Sequence, residues 1–140
     1  MKKALMLAMS VLFGALLIGC QSNSSQQGIQ LQTISGSVAY RERIALPDNA
    51  VITVKLQDVS LADAPAKVIA EQTIQTNGAQ VPFDFKLMYD ASSIIPNHTY
   101  SVSARIEVDG KLRFITDTIN PAITDPSNTT EFNLMLVGVR

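Results

Sequence analysis

VIAEQTIQTNGAQVPFDFKL, residues 68–87, contains the strongest local signal for the fold of this chain. Asn77-Gly78 at its centre favours a two-residue type I′ turn, because both residues tolerate a positive φ. Such a turn places Ile74 opposite Val81, and the pairs beyond them are mostly apolar. Those pairs are Gln72 with Phe83, Ala70 with Phe85 and Val68 with Leu87. The stretch therefore predicts a β-hairpin with one apolar face.

A second hairpin is predicted around Asp109-Gly110. A two-residue loop would set Ile106 opposite Arg113, and so place a core residue against a solvent-facing one. A three-residue loop that begins one residue earlier, with Gly110 left-handed in a bulge, removes this conflict. We therefore expect Ile106 opposite Leu112. The pairs that follow are Ala104 with Phe114 and Val102 with Thr116.

The rest of the chain beyond Thr33 also alternates between apolar and polar residues, without a helical stripe. Pro65 limits the one short helical turn that residues 61–66 could form. The clearest alternating stretches are residues 34–40, 52–57 and 132–136. This pattern predicts an all-β domain.

Ile94-Ile95-Pro96-Asn97-His98-Thr99-Tyr100 resembles the tyrosine corner of fibronectin-like sandwiches. A buried phenol at Tyr100 must find a hydrogen-bond partner in the preceding loop backbone. The number and spacing of the strands then favour an antiparallel two-layer immunoglobulin-like sandwich of about seven strands. A small closed barrel is the alternative.

The N-terminus has the features of a bacterial lipoprotein signal peptide. Lys2 and Lys3 are followed by an uncharged apolar run, residues 4–18, which is short for a membrane-spanning helix. The run ends in Leu17-Ile18-Gly19-Cys20, which resembles a lipobox. That resemblance implies cleavage between Gly19 and Cys20, and fatty acyl chains such as palmitate on Cys20. We expect no other cofactor.

The chain is thus predicted to divide into three parts. Residues 1–19 form the signal peptide, residues 20–32 the lipidated N-terminus and flexible tether, and residues 33–140 the β domain. The polar, uncharged stretch 21–28 cannot bury enough apolar surface to order itself. The N-terminus resembles that of enterobacterial lipoproteins, in which an Asp directly after the cysteine is the signal for retention in the inner membrane. Gln21 stands there instead, which implies an outer-membrane anchor and a domain facing the periplasm.

Composition and charge disfavour several functions. Without Lys2 and Lys3, nine basic residues stand against twelve acidic ones, a net charge of −3 without a basic run, which argues against nucleic-acid binding. The single histidine, His98, is expected to be a solvated loop residue, and the acids are expected to lie at turns and strand ends. With one cysteine and one histidine, the sequence disfavours most metal sites and cysteine-based catalysis, and a pair of acids for glycoside hydrolysis is the alternative to solvated turn acids, although no feature of the sequence selects one. We expect a protein that is not an enzyme.

The densest charged stretch is Tyr40-Arg41-Glu42-Arg43, followed by the apolar Ile44-Ala45-Leu46-Pro47. An ordinary transition from strand to loop with paired charges explains it, and a docking patch for a partner is the alternative. The second hairpin would place Arg105 and Arg113 opposite each other on its outer face. The predicted partner-binding residues are Tyr40, Arg41, Arg43, Arg105 and Arg113.

Several stretches resemble the YbaY family of lipoproteins, which is related to the YscW-type pilotins of type III secretion. They are residues 35–43, 45–47, 54–60, 63–66, 81–85, 104–106 and 110–112. The resemblance covers nearly the whole β domain and implies a periplasmic β-sandwich lipoprotein. Its pilotin members bind a secretin subunit and help it reach the outer membrane. The resemblance implies no catalytic residues.

Two functions follow from these observations as hypotheses. The first is a non-enzymatic binding or chaperone module, pilotin-like, for an outer-membrane or envelope protein such as a secretin. Exposed sheet edges, which can accept a strand from another chain, support it. The second is a glycan-binding or polysaccharide-processing lipoprotein. The absence of tryptophan disfavours the second, because sugar-binding surfaces commonly use aromatic platforms.

Overall fold

A computed structural model describes residues 30–139, and within them it is built almost entirely from β-strands. The predicted all-β class is confirmed. One 3₁₀ turn, Ala91–Ser93, follows the fourth strand. The strands are β1 (Leu31–Tyr40), β2 (Val51–Asp58), β3 (Lys67–Gln75), β4 (Phe83–Asp90), β5 (Tyr100–Val108), β6 (Lys111–Ile115), β7 (Pro121–Ala122) and β8 (Glu131–Gly138).

The strands form one continuous sheet in the order β3-β2-β5-β6-β8-β1-β4, with the short β7 added beside β5. The sheet curls into a nearly closed barrel. The immunoglobulin-like sandwich is not confirmed, because β8 connects what would be its two layers. β8 pairs in parallel with β1 and antiparallel with β6, where Phe114 lies opposite Gly138. The barrel that the sequence left as the alternative describes the sheet better.

The interior is filled by the inward-facing residues of each strand. Ile34 and Val38 of β1, Ile52 of β2 and Ile106 of β5 are fully buried. Gly36 stands at an inward position between Ile34 and Val38. A Cβ atom there would lie 1.8 Å from the carbonyl oxygen of Phe132, so the glycine permits the close approach of β1 and β8.

The turn predicted at Asn77-Gly78 is present, and both residues have positive φ, 50° and 88°. The amide of Ala79 donates to the carbonyl of Thr76 across it. The predicted ladder beyond the turn is wrong. β3 pairs with β2 and β4 pairs with β1, so the two strands stand at opposite ends of the sheet order. β3 pairs with the strand that precedes it in the chain, whereas β4 pairs with β1, which is distant in sequence.

The hairpin between β5 and β6 resolves the expected register conflict in an unexpected way. Its loop is the two-residue Asp109-Gly110, with φ of 53° and 76°, so the predicted three-residue loop is wrong. Ile106 nevertheless avoids Arg113, because the register shifts between Ile106 and the next residue. The bulge lies inside β6 and sets Ile106 opposite Phe114. Core residues therefore face core residues.

The predicted tyrosine corner is confirmed in its hydrogen bond. The ring of Tyr100 is buried, and its phenol oxygen accepts a hydrogen bond of 2.9 Å from the backbone amide of Ile95. The bond ties the loop between β4 and β5 to the start of β5. Residues 61–66 form turns and no helix.

The predicted signal peptide, the cleavage site at Gly19 and Cys20 and most of the tether lie outside the described residues. β1 begins at Leu31, two residues before the expected start of the domain at Thr33. Among residues 30–139, none of the helical segments has the length and apolar character needed to cross a bilayer.

Candidate functional site

An apolar cleft opens at the end of the barrel where β1 finishes. We call it the distal cleft, because β1 starts at Leu31 and reaches the cleft at Tyr40. Its volume is about 230 Å³. The loop between β1 and β2 forms one wall, and the start of β6 and the end of β8 form the other. Residues of the cleft include Glu42, Ile44, Leu46, Pro47, Arg113 and Val139.

Tyr40 positions the loop wall of the distal cleft. Its ring stacks on Phe114 with ring centroids 4.1 Å apart and planes 11° from parallel. Its hydroxyl donates a 2.7 Å hydrogen bond to the carbonyl of Ile44. Burial of the phenol, with the negative charge of Glu42 nearby, raises the pKa of Tyr40. The hydroxyl therefore stays protonated and keeps its donor role at physiological pH.

Gln80, from the turn between β3 and β4, holds the same loop at a second point. Its side-chain oxygen accepts a 2.7 Å hydrogen bond from the amide of Leu46, and its side-chain nitrogen donates 3.0 Å to the Leu46 carbonyl. The paired bonds imitate a β-ladder. Together with Tyr40 they fix the loop, so the cleft is largely preformed.

The rim of the distal cleft combines apolar and charged groups. The Ile44 side chain is 58% exposed, and Val139 across the cleft is 39% exposed. Glu42 accepts a 3.1 Å hydrogen bond from the amide of Gly138, which joins the loop to the end of β8. Arg113 lines the cleft beside them. Such a site can take an apolar side chain and a neighbouring carboxylate.

The structure brings together four of the five predicted partner-binding residues and separates the fifth. Arg41 and Arg43 are exposed on the loop of the distal cleft, and Arg113 lies across from that loop. Tyr40 belongs to the same end, but its ring is buried and supports the cleft from below. Arg105 lies elsewhere.

Arg105 sits on the outer face of β5, where it lies opposite Ile115. The expected opposition of Arg105 and Arg113 is wrong, because the bulge in β6 displaces Arg113. Arg105 instead forms a 2.9 Å ion pair with Glu107. Its Nε is buried and has no hydrogen-bond partner in the part of the chain that the structure describes. Its placement gives Arg105 no part in the cleft.

A second depression crosses the outer face of β1. The sequence did not predict this depression. Its floor is the run of small residues Ser35-Gly36-Ser37, and its walls are the longer side chains of the strands on either side. We call it the outer trough, and its volume is about 760 Å³. The wall residues include Asp84 and Lys86 of β4 and Glu131 and Asn133 of β8. Three consecutive small residues within one strand are the sequence signal for it.

His98 is not the solvated loop residue that the sequence suggested. Its Nδ1 lies 2.6 Å from Oδ2 of Asp58, and the Asp58 side chain is only 14% exposed. Ser60 donates from both its amide and its hydroxyl to Oδ1 of Asp58. These hydrogen bonds, from Ser60 first and His98 second, lower the pKa of Asp58 to about 2.

The arrangement of these three residues is not that of a nucleophilic triad. The hydroxyl of Ser60 bonds to Asp58 rather than to the imidazole of His98, so within this cluster the imidazole holds no hydroxyl that it could activate. Ser60 also accepts from the amide of Thr99, which ties the loop after β2 to the start of β5. The cluster of Asp58, Ser60 and His98 therefore connects the loop after β2 to the loop before β5. Within residues 30–139, acidic residues, His and Cys form no group of three or more that could hold a metal.

Comparison with known proteins identifies the family. Residues 29–135 match the sequence profile of the family "Type III secretion system lipoprotein chaperone (YscW)". The protein "Uncharacterized lipoprotein YbaY" of Escherichia coli (strain K12) is 43% identical over 116 residues, which are 83% of this chain. This chain spans 61% of the length of that relative.

A solved structure agrees with both matches. It is described as the structure of an alternative pilotin from the type II secretion system of Vibrio cholerae, and it is 68% identical in sequence. The match has a TM-score of 0.77 and covers 79% of this chain and 99% of the other. The predicted relationship to YbaY-like and YscW-like proteins is confirmed, and the chain belongs to the YscW family of lipoprotein chaperones.

Proposed function

We propose that this protein is a lipid-anchored, pilotin-like chaperone that binds a segment of an outer-membrane secretin in its distal cleft. The observation that carries the proposal is the position of the cleft. β1 runs from Leu31, beside the predicted tether, to Tyr40 at the cleft. At about 3.3 Å per residue the two ends stand about 30 Å apart. A client can thus be held on the side facing away from the anchor.

The proposed anchor is Cys20, as a diacylglyceryl thioether with an acylated amine. Membership in a family of lipoprotein chaperones and similarity to a relative named a lipoprotein support it. The stretch from Cys20 to Leu31 could reach at most about 35 to 40 Å. The domain could therefore move beside the inner surface of the outer membrane, where we place the protein, while it remains attached.

The chemistry of the distal cleft indicates what kind of segment it takes. The exposed side chains of Ile44 and Val139 offer apolar surface, and Arg41, Arg43 and Arg113 add positive charge around it. A client segment with an apolar anchor and neighbouring acidic residues would complement both. The secretin as client is inferred from the Vibrio cholerae relative, which is described as a pilotin of type II secretion.

The glycan-binding alternative receives no support from the comparisons. The aromatic residue that lines the distal cleft among the described residues is Phe114, which is buried and stacks on Tyr40 instead of offering a free ring face. In this proposal the protein is a binding module and not an enzyme. The family name, lipoprotein chaperone, agrees with that role.

Crosslinking from the cleft in living cells tests the proposal. A photoreactive amino acid at Ile44, at the distal cleft, should capture a secretin subunit. The matched control is Leu61, which is 70% exposed but follows β2 at the opposite end of the barrel. Equal capture from both positions, or no envelope protein from either, would contradict the distal cleft as the binding site.

Variants of the same residues make the test quantitative. Ile44→Asp and Arg113→Glu should each reduce secretin capture by the purified protein about tenfold or more, and Leu61→Asp should leave it unchanged. The anchor is tested separately by mass spectrometry of the native protein. An acylated fragment that begins at Cys20, and that Cys20→Ser abolishes, is the expected result. An unmodified thiol on an intact leader would contradict the anchor.

A further inference from the structure

The barrel is open along one seam, between β3 and β4. These strands end the sheet order, and no backbone ladder joins them among the described residues. A side chain takes the place of a ladder at one point. The side-chain oxygen of Gln72, on β3, accepts a 2.8 Å hydrogen bond from the backbone amide of Lys86, on β4.

This hydrogen bond shows which backbone groups of β4 face the seam. The amide of Lys86 points away from β1, although Lys86 lies opposite Ser35 in the ladder. In an antiparallel pair, residues two apart direct their amide and carbonyl groups to the same side. Asp84 and Met88 therefore also face the seam. β4 presents a row of backbone donors and acceptors to the seam, where β3 lies alongside it without forming a ladder.

The edge of β4 is regular enough to template another strand. Its register with β1 runs through eight pairs without a shift, from Leu31–Asp90 to Val38–Phe83. The edge of β3 differs, because a shift in its register with β2 at Leu56 makes it irregular. Irregular edges resist strand addition, and long regular ones accept it. β4 is the better edge for a partner.

We propose that β4 binds an extended segment of an envelope-protein chain, which pairs antiparallel with it, displaces Gln72 from the amide of Lys86 and moves β3 aside, since neighbouring strands lie about 4.8 Å apart. The inference rests on the proposed function in taking the client to be an envelope protein. It adds a second contact to the distal cleft. The exposed Asp84, Lys86 and Met88 make the edge selective, because cross-strand pairs of opposite charge or of apolar residues stabilise a ladder.

The order of these three residues predicts the pattern of the bound segment. Read antiparallel to β4, alternate positions of the segment would be apolar opposite Met88, acidic opposite Lys86 and basic opposite Asp84. The outer trough borders Asp84 and Lys86 and has room for the outward side chains of the segment. The pattern is therefore apolar, any residue, acidic, any residue, basic.

A second copy of this chain would fit the same edge less well. Two β4 strands that matched Asp84 with Lys86 would also place Pro82 opposite Met88. Proline has no amide hydrogen, so the shared ladder would lose a hydrogen bond at each end. A separate segment does not carry this restriction. Self-association is an outcome that the test must detect.

Synthetic peptides and the full-length protein in detergent test the proposal. The probe is fluorescein-labelled Thr-Leu-Thr-Glu-Val-Lys-Val-Thr, and the control exchanges its glutamate and lysine without changing composition. Fluorescence anisotropy should show binding of the probe at least about fivefold tighter than binding of the control. Methylation of the glutamate amide nitrogen should abolish binding, because that amide donates to the Lys86 carbonyl in the proposed ladder.

Variants of the edge supply the decisive comparison. The double variant Asp84→Lys with Lys86→Asp should reverse the preference between the two peptides. Gln72→Ala should strengthen probe binding by freeing the amide of Lys86, and Thr73→Ala on the exposed face of β3 should leave it unchanged. Equal affinity for both peptides, an unreversed preference in the double variant, or a protein dimer that excludes the probe would overturn the proposal.

The peptide assay and the secretin assay fail independently. If the peptides do not discriminate but capture still depends on Ile44, the edge proposal falls and the proposed function stands. If the peptides bind as expected but no secretin is captured, the edge proposal stands and the secretin client falls.

Discussion

The Nδ1 of His98 lies 2.6 Å from Oδ2 of Asp58, and this contact joins residues 40 positions apart. It fastens the loop before β5 to the end of β2. Ser60 holds the other carboxylate oxygen of Asp58. An aspartate with this many donors is stabilised in its ionised form.

The pH dependence of the free energy of unfolding should show the stabilising contribution of the ionised Asp58. Its pKa of about 2 in the folded protein lies below the value of about 3.9 expected for an unfolded chain. Its stabilising contribution is therefore complete above pH 4 and is lost as the pH falls through about 2. Asp58→Asn should lower the free energy of unfolding by about 1 to 2 kcal/mol at pH 6, and this deficit should shrink below pH 4.

Urea denaturation of Asp58→Asn between pH 2 and pH 7 measures this effect. Asp63→Asn is the matched control, because Asp63 is exposed in the next loop. The control should follow the wild type throughout. A deficit in Asp58→Asn that is the same at pH 2.5 and at pH 6 would show that its ionised carboxylate is not what stabilises the fold.

Tyr100→Phe should destabilise the protein without changing its fold. The substitution keeps the buried ring and removes the phenol oxygen that accepts the hydrogen bond from the Ile95 amide. An amide left without a partner costs about 1 to 3 kcal/mol. Thermal denaturation should show the loss, and hydrogen exchange should speed up at Ile95. A variant as stable as the wild type would mean that water replaces the phenol.

Gly36→Ala should be among the most damaging small substitutions. The new methyl group would meet the carbonyl of Phe132 at 1.8 Å, so β1 and β8 would have to separate. Forced backbone movement of this kind costs about 3 kcal/mol or more. Chemical denaturation should show that loss, and Ser35→Ala on the outer face should stay within about 0.5 kcal/mol of the wild type.

The sequence predicted those parts of the fold that depend on local chemistry. The alternation of buried and exposed residues, the left-handed Asn77-Gly78 turn and the hydrogen bond of Tyr100 are all present. Each of these is decided within a few residues. The partner strands of β3 and β4 were not predictable in the same way, because a turn does not determine whether the two strands beside it pair with each other.

Long-range partners explain the other differences. The bulge at Arg113 places Phe114 opposite Ile106, and Phe114 also stacks on Tyr40, which lies in another strand. The contact between His98 and Asp58 depends on the pairing of β2 with β5, which sets Asp58 opposite Tyr100. The distal cleft could be predicted in part from the sequence, since the charge-rich stretch 40–43 precedes an apolar run. Its second wall, from β6 and β8, could not be predicted because it depends on how the sheet curls.

Tyr40→Phe should distinguish the effect of the Tyr40 hydrogen bond on the distal cleft from the effect of the ring stacking beneath the cleft. The variant keeps the ring that stacks on Phe114 and loses the 2.7 Å hydrogen bond to the carbonyl of Ile44. We expect a loss of about 1 kcal/mol in the free energy of unfolding, together with faster hydrogen exchange in the loop 41–49. Because a looser loop must be ordered again on binding, secretin capture should weaken several-fold.

Tyr40→Leu provides the comparison for this prediction. It removes both the stacking on Phe114 and the hydrogen bond to Ile44, so its loss of stability should be clearly larger, about 3 kcal/mol. Gln80→Ala should resemble Tyr40→Phe, because Gln80 holds the same loop through Leu46. If Tyr40→Phe and Gln80→Ala captured the secretin as well as the wild type does, preorganisation of the loop would have no part in binding, and the client would contact the cleft through its exposed rim alone.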